Sequence, residues 1–261
     1  MKCLICTMAS GWYKKFAPLF EYTAKKYNPD CDVRVFDKDE IFPGYPDRNA
    51  GALRFLIPNK YFDGYDYVYF TDVDIVFLPH DPPLFEYHIR AMGRTGLPYS
   101  AYRGPKTKDG HRKWHGRNTR ITGGIVCVSR AWLEITERIR ERILKKVRKP
   151  FTSRCDDEIM LYRIMRCSGL KTPKHRRRFY TGEVFDRDYR NLHLGDFRAE
   201  FEDRWKIVRK ARYWYFTDNN VAKYRILQQD EHYHKLYKEA KQDKYMRKIF
   251  RNLKYHLSIR K

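Results

Sequence analysis

The chain has 261 residues, of which 42% are hydrophobic and 16% aromatic. This composition supports a sizeable hydrophobic core and excludes a chain that is disordered throughout. Lysine and arginine number 55 against 32 aspartates and glutamates, which gives a formal net charge of +23. Such a charge favours an anionic partner, and nucleic acid, a phosphorylated small molecule and an acidic membrane surface all qualify.

The sequence contains neither a secretory pattern at its start nor an apolar run of the roughly 18 residues that a membrane-spanning helix requires. We therefore expect a soluble, cytoplasmic protein. Its six cysteines are scattered, mostly within apolar runs, which is typical of reduced, buried thiols. Cys3 and Cys6 form a CxxC pair, but no second CxxC or histidine pair completes a zinc site.

Strand-like and helix-like patterns alternate in the first part of the chain. Residues 2–8 and 32–36 have strand patterns, and residues 11–27 between them place apolar side chains at helical spacing. This β-α-β order is typical of parallel sheets flanked by helices. A helical segment at 50–57 then ends before Pro58.

The central part of the chain continues this alternation. Residues 67–70 and 125–128 are predicted strands, and the segments 129–149, with Ser129 as its cap, and 156–167 are predicted helices. Residues 103–120 are basic and non-periodic, which predicts a long loop. From about residue 200 the composition shifts to lysine, arginine and tyrosine, so we predict a domain at 1–200 and a basic helical extension at 201–261.

Asp72 and Asp74 are the most distinctive candidate site residues, because they directly follow an apolar strand and precede a second apolar run. Ligands of open α/β sheets bind where strands end, and paired carboxylates there suit Mn²⁺ or Mg²⁺ together with substrate phosphates. The alternative is an acidic turn between two strands. Because carboxylates among apolar residues are costly to bury without a cation, the context favours a metal site.

Five segments occur in a characteristic order along the chain: residues 52–58 (ALRFLIP), 67–74 (YVYFTDVD), 122–126 (TGGIV), Asp157-Glu158 and 193–195 (HLG). This series resembles the glycosyltransferases of the A fold. It is most similar to family 8, the retaining enzymes that include glycogenin and bacterial lipooligosaccharide galactosyltransferases, and the resemblance covers about residues 1–200. It implies a Rossmann-like α/β fold with a mixed, mostly parallel sheet between helices.

The resemblance also implies a metal site and a donor. Asp72 and Asp74, with His193 as a third ligand, would hold Mn²⁺ or Mg²⁺ against the diphosphate of a nucleotide sugar, most simply a UDP-sugar. Arg54 and Arg198 would contact phosphate, for which a guanidinium is well suited. The family usually has HxxGxxK where this sequence has HxGxxR, one residue shorter. A structural histidine and a solvated Arg54 on a helix surface are the alternatives.

The resemblance implies two further sets of contacts with the nucleotide sugar, one at the end of the first strand and one at a pair of glycines. Thr7, Ala9 and Tyr13 match the segment that grips the nucleotide base, although Tyr13 equally suits packing of the first helix. Gly123 and Gly124 would shape the sugar pocket, because glycine allows close backbone approach. A plain turn is the alternative for the glycine pair.

Asp157 and Glu158 are the candidate catalytic residues, and they stand where the family has an Asp-Gln pair. A carboxylate can act as nucleophile or general base, whereas an amide cannot. The resemblance implies hexosyl transfer with retention, to a saccharide or a lipid-linked or other hydroxyl acceptor. An inverting enzyme with Asp157 as general base remains an alternative, as does simple helix capping by the acidic residues.

Two other classes compete with this interpretation. A nucleic-acid-binding module would explain the charge but not Asp72 and Asp74, and no nucleic-acid-binding motif is recognisable, so we expect no nucleic acid partner. A nucleotidyltransferase would usually carry a basic, glycine-rich loop after the first strand, and residues 10–13 (SGWY) are not such a loop.

Residues 221–261 hold 12 basic against 4 acidic residues, interleaved with aromatic ones. They predict either peripheral contact with an anionic membrane or a packed helix with a solvated basic face.

Overall fold

The computed structural model describes residues 1–101, 125–147, 156–170, 191–197 and 218–258. The chain forms two compact units, each assembled from separated segments. The first unit contains residues 1–11, 30–72 and 84–184, and the second contains residues 12–29, 73–83 and 185–261. The division predicted at residue 200 stays a prediction.

Seven strands lie in the described ranges. They are β1 (Cys3–Ala9), β2 (Asp32–Asp37), β3 (Tyr67–Thr71), β4 (Ile75–Val76), β5 (Tyr99–Ala101), β6 (Ile125–Ser129) and β7 (Leu192–His193). The main sheet has the order β2-β1-β3-β6-β5, and β4 pairs with β7 in a separate ladder. β1 runs parallel to β2 and β3, while β6 is antiparallel to both its neighbours. Four of the five strands in the main sheet therefore share one direction.

The α-helices in the same ranges are α1 (Ala17–Tyr27), α2 (Lys38–Ile41), α3 (Ala50–Leu53), α4 (Leu84–Thr95), α5 (Arg130–Leu144), α6 (Asp156–Cys167), α7 (Asp218–Gln228), α8 (Glu231–Ala240) and α9 (Lys244–Ser258). Short 3-10 segments occur at Gly11–Phe16, Asp47–Asn49, Arg54–Leu56, Asn59–Phe62 and Leu194–Phe197. None of the helices in these ranges has the length and apolarity needed to cross a membrane.

The core of the first unit covers both faces of the main sheet. On one face, Phe70 of β3 packs with Phe55 and with Trp132 of α5. On the other face, Tyr69 contacts the rings of Phe85 and His88 from α4. Alternating residues of one strand thus meet helices on opposite sides, as expected for a strand buried on both faces. The predicted α/β class, a mixed and mostly parallel sheet flanked by helices, is confirmed.

The second unit is built around its helices. The ring of Phe20 in α1 packs edge-on against Phe77, and the backbone N–H of Phe77 donates to Thr23 Oγ1 at 3.1 Å. The buried side chains of α9 include Met246, Ile249, Phe250 and Leu253. The predicted helical character of the C-terminal region is confirmed for residues 218–258, and residues 201–217 lie outside the described part.

Asp230 links α8 to α1 in the second unit. Its carboxylate caps α8 by accepting from the backbone N–H of Tyr233 at 2.7 Å, and it pairs with Lys26 and Tyr22 of α1. Partial burial opposes ionisation, but the hydrogen bonds from Lys26, Tyr233 and Tyr22 outweigh it and lower the pKa of Asp230 to about 2. The ionised carboxylate therefore stabilises the folded state.

We expect Asp230→Ala to lower the free energy of unfolding at pH 7 by about 2 kcal/mol, through the lost cap and the lost ion pair. Because the folded-state pKa is below the ordinary value of 3.8, the unfolded chain binds more protons between about pH 4 and pH 2. The stability that the ionised Asp230 carboxylate contributes is fully present above about pH 4 and is lost as the pH falls towards about pH 2. Urea denaturation of the wild type and of Asp230→Ala at pH 7 and pH 2.5 measures the difference in their free energies of unfolding. The same difference at both pH values would contradict the role assigned to the ionised carboxylate.

Most predicted elements are found within a residue or two, and α6 has the predicted bounds. The helix predicted at 129–149 ends at Leu144, five residues early. Ser129 does occupy its N-cap position, but its hydroxyl donates to the Pro98 carbonyl at 3.0 Å instead of capping the helix. The helix predicted at 50–57 is a short α-helix that continues as a 3-10 turn. The predicted loop at 103–120 lies outside the described residues.

Candidate functional site

Asp72 and Asp74 follow β3 at the carboxyl end of the sheet's central strand. β3 lies between β1 and β6 in the sheet, and its residues from Val68 onward are fully buried. A single residue, Val73, separates the two aspartates, and β4 begins directly after Asp74. The paired carboxylates are therefore held between two buried strands.

Arg54 connects Asp72 to Asp157 within the first unit. Its side chain is 2% exposed, pairs with Asp72 through Nη1 and lies 3.3 Å from Asp157 Oδ2 through Nη2. The 3-10 segment that follows α3 presents the guanidinium, and α6 supplies Asp157 from its first turn. Arg54 is thus not a solvated helix-surface residue. Its predicted contact with a diphosphate stays a prediction.

Asp74 and His193 come together through the β4–β7 ladder of the second unit. Ile75 stands opposite His193 in that ladder, and the backbone N–H of Leu194 donates to the Asp74 carbonyl at 2.7 Å. As a result, His193 Nε2 lies 3.4 Å from Asp74 Oδ1. Asp74 is only 4% exposed, so its charge requires a compensating partner.

Asp74 and His193 meet within the second unit, and Asp72 precedes Asp74 by two residues along the chain. The β4–β7 ladder accounts for the contact between Asp74 and His193. Two carboxylates and an imidazole form a donor set that a divalent cation can bind. The residues present therefore fit the metal that the sequence resemblance implies.

The segment after β1 holds the residues predicted to contact the nucleotide base. Thr7 and Ala9 are buried within β1, and Gly11 turns the chain with a φ of +49°. Ser10 Oγ donates to the Asp47 carbonyl at 3.0 Å. The ring of Tyr13 packs with Trp12 and Phe16 in the second unit. This contact agrees with the packing alternative for Tyr13, and the base-binding roles stay predictions.

Several predicted site residues lie outside the described part. Gly123, Gly124 and Arg198 lie in the ranges that the structure does not describe, and nothing is described of the side chain of Glu158. Their roles in the sugar pocket, at the phosphates and in catalysis stay predictions.

Sequence reasoning named Gly195 only as part of a motif and did not single out Asn191, although both lie close to His193. Asn191 is 1% exposed, and its Oδ1 accepts from the backbone N–H of Leu78 at 3.0 Å. Gly195 lies so close to Asp74 that an added Cβ would be 1.9 Å from Asp74 Oδ2. The glycine two residues after a candidate ligand was a usable signal for close backbone approach. Asn191 had none, because its partner is 113 positions away.

Comparisons with known proteins give the following similarities. No protein-family model matches the sequence, and no curated protein matches it either. A solved glycosyltransferase involved in glycosylation of the major capsid of PBCV-1 is 12% identical, with a TM-score of 0.43, over 62% of this chain and 74% of that one. The galactosyltransferase LgtC, solved with donor and acceptor sugar analogues, is 14% identical, with a TM-score of 0.39, over 62% of this chain and 70% of that one.

Proposed function

We propose that this protein is a metal-dependent glycosyltransferase of the A fold that transfers a hexose from a nucleotide sugar to a hydroxyl acceptor. The observation that carries the proposal is the contact of His193 Nε2 with Asp74 Oδ1 at 3.4 Å, two residues after Asp72 at the end of the central strand. The order of the motifs along the chain, which resembles family 8, supports a nucleotide-sugar donor. A nucleic-acid-binding module would not require this grouping.

Mn²⁺ is the metal we propose for the Asp72, Asp74 and His193 site. Carboxylates suit Mg²⁺ and Mn²⁺ alike, but imidazole is a ligand of transition metals, which favours Mn²⁺. The side chains of Asp72, Asp74 and His193 would hold a divalent cation, which when bound would supply positive charge that stabilises the diphosphate leaving group. Holding the cation would also let these residues orient the donor.

The carboxylate of Asp157 is proposed to act at the anomeric carbon. Its ion pair with Arg54, which also pairs with Asp72, supports this role because it links the predicted catalytic residue to the DxD segment. The guanidinium orients the Asp157 carboxylate by opposite charge. Glu158 and Asp157 both remain candidates for the reacting carboxylate.

Thermal unfolding with a panel of nucleotide sugars tests the proposed donor class. A ligand that binds only the folded state raises the melting temperature. We expect one or more UDP-sugars to raise it in the presence of Mn²⁺ and to lose this effect in EDTA. A panel that also includes GDP-sugars and free nucleotides identifies the nucleotide, and no stabilisation by any donor would contradict the proposal.

We expect the sugar to be transferred with retention of its anomeric configuration, because the motif order resembles that of retaining family 8. Proton NMR of the glycoside that forms on the acceptor measures the configuration of the new bond directly. An inverted product would contradict retention and would make Asp157 the general base of an inverting enzyme of the same fold.

A lipid-linked acceptor would require contact with a membrane, and α9 is the element proposed to provide it. The buried face of α9 carries Ile249, so part of the helix is packed, as the packing alternative predicted. Its other side carries five basic residues and no acidic one, and Tyr245 is 63% exposed. These basic residues are Lys244, Arg247, Lys248, Arg251 and Lys254. Each such charge near anionic lipid contributes about 1 kcal/mol.

Sedimentation with vesicles tests this contact. We expect binding to vesicles that contain phosphatidylserine, no binding to neutral vesicles, and loss of binding at high salt. Charge reversal at Lys244, Arg251 and Lys254 should abolish it without disturbing the buried face, whereas reversal at exposed Lys235 and Lys238 of α8 is the matched control. Equal failure to sediment with either vesicle would contradict membrane contact and favour a soluble acceptor.

A further inference from the structure

The ladder that delivers His193 is very short. β4 and β7 contribute two residues each, with Ile75 opposite His193 and Val76 opposite Leu192. A two-stranded ladder of this length has little stability of its own. The placement of His193 beside Asp74 therefore depends on contacts beyond the ladder.

Asn191 extends the ladder at one end. Its side-chain oxygen accepts a hydrogen bond from the backbone N–H of Leu78 at 3.0 Å and lies 2.7 Å from His80 Nε2. An amide oxygen can only accept, so the ring nitrogen of His80 donates to it. The residue two positions before His193 is thus fastened twice to the segment that follows β4.

Gly195 determines the geometry at the other end. The backbone N–H of Leu194 donates to the carbonyl of Asp74 at 2.7 Å, which brings the next residue against the Asp74 side chain. An added Cβ at Gly195 would lie 1.9 Å from Asp74 Oδ2 and 3.0 Å from His193 Cε1. Any side chain at this position would displace the carboxylate, because no real Cβ contact is that short. The Asp74 carboxylate therefore occupies space that only glycine leaves open.

We propose that Asn191 and Gly195 are positioning residues that hold Asp74 and His193 in the geometry required for metal binding. The inference rests on the proposed metal-dependent function and adds the residues that determine the affinity of the proposed site for Mn²⁺. Neither residue is itself offered as a ligand. Asn191 anchors the chain just before β7 through its two hydrogen bonds. Gly195, which follows β7, leaves the space that the Asp74 carboxylate occupies. Residues that orient metal ligands typically contribute about tenfold to hundredfold in affinity.

Gly195→Ala, with Gly93→Ala as its matched control, is the first test. Gly93 lies in α4, and an added Cβ there meets nothing within 4 Å. Titration with Mn²⁺, followed by the electron paramagnetic resonance signal of the free ion, measures affinity without turnover. We expect Gly195→Ala to bind Mn²⁺ about tenfold or more weakly and Gly93→Ala to bind as the wild type does.

Asn191→Ala and Asn191→Asp form the second test. Alanine removes the acceptor for Leu78 and His80, whereas aspartate retains an oxygen in its place. We expect Asn191→Ala to lose affinity for Mn²⁺ by about tenfold and Asn191→Asp to restore most of it. A purely structural role would reduce the melting temperature of Asn191→Ala without this rescue of affinity.

Residue-resolved hydrogen exchange of the metal-free proteins provides a readout that does not require Mn²⁺. The amide of Leu194 should lose protection in Gly195→Ala, and that of Leu78 in Asn191→Ala, while amides of β1 and β3 keep theirs. Unchanged protection together with wild-type affinity in both variants would overturn the inference. So would loss of protection throughout both proteins. If wild-type protein binds no Mn²⁺, the proposed function fails, and the exchange data still decide whether these residues hold the ladder.

Discussion

Replacing Asp74 with alanine is expected to reduce Mn²⁺ affinity by roughly a hundredfold or more and to abolish metal-dependent turnover. Asp74 is 4% exposed and lies 3.4 Å from His193, so its removal takes away the most buried of the three proposed ligands. Because alanine leaves no charge to bury, we expect the metal-free variant to fold as the wild type does. Mn²⁺ titration and metal-free thermal unfolding measure the two effects separately.

Asp63→Ala is the matched control for this variant. Asp63 is an exposed aspartate 3.5 Å from Arg130, and it precedes β3, whereas Asp72 and Asp74 follow that strand. Its replacement should leave Mn²⁺ affinity and turnover unchanged. Wild-type affinity in Asp74→Ala would remove Asp74 from the metal site, and full activity of the wild type in EDTA would remove the metal from the reaction.

Arg54→Met is expected to lower the free energy of unfolding of the metal-free protein by about 3 kcal/mol. Arg54 is buried and pairs with both Asp72 and Asp157, which are themselves largely buried. Breaking a buried ion pair leaves its remaining charges uncompensated. If Mn²⁺ binds at Asp72 as proposed, it supplies positive charge there and should restore part of the lost stability. Urea denaturation with and without Mn²⁺ measures both effects.

Arg140→Met separates this effect from the loss of any buried arginine. The guanidinium of Arg140 is equally buried, but it donates to the carbonyl of Ile57 at 2.6 Å and to that of Leu133 at 3.2 Å. Burial lowers the pKa of Arg140 to about 10, so it is charged at pH 7. Its replacement should destabilise the protein without rescue by Mn²⁺. Equal rescue of both variants, or of neither, would contradict the role assigned to Arg54.

Much of the fold could be predicted from local patterns, and particular elements show why. The alternating residues of β2 and the apolar run of β3 carry strand signals, and the carboxylates at the start of α6 mark where that helix begins. Where tertiary contacts compete, prediction was less accurate. The hydroxyl of Ser129 bonds to the Pro98 carbonyl instead of the helix, and α5 ends at Leu144 although the following residues suit a helix.

The candidate site was predictable only in part. Asp72 and Asp74 stand out in the sequence because carboxylates between apolar strands are costly to bury without a compensating cation. His193 followed from family resemblance, and its distance to Asp74 depends on a ladder of four residues that no local pattern marks. Arg54 was selected as a phosphate contact, but its pairing with Asp157 joins positions 103 residues apart. Contacts of this kind depend on topology, which local sequence patterns do not encode.

Release of nucleoside diphosphate from nucleotide sugars tests metal-dependent sugar transfer most directly. Retaining and inverting transferases alike can hydrolyse their donor slowly when no acceptor is present. We predict that the purified chain releases nucleoside diphosphate from at least one donor of a UDP- and GDP-sugar panel in Mn²⁺, and from none in EDTA or after Asp74→Ala. The same rate of release in EDTA, or no release from any donor in Mn²⁺, would contradict the assignment.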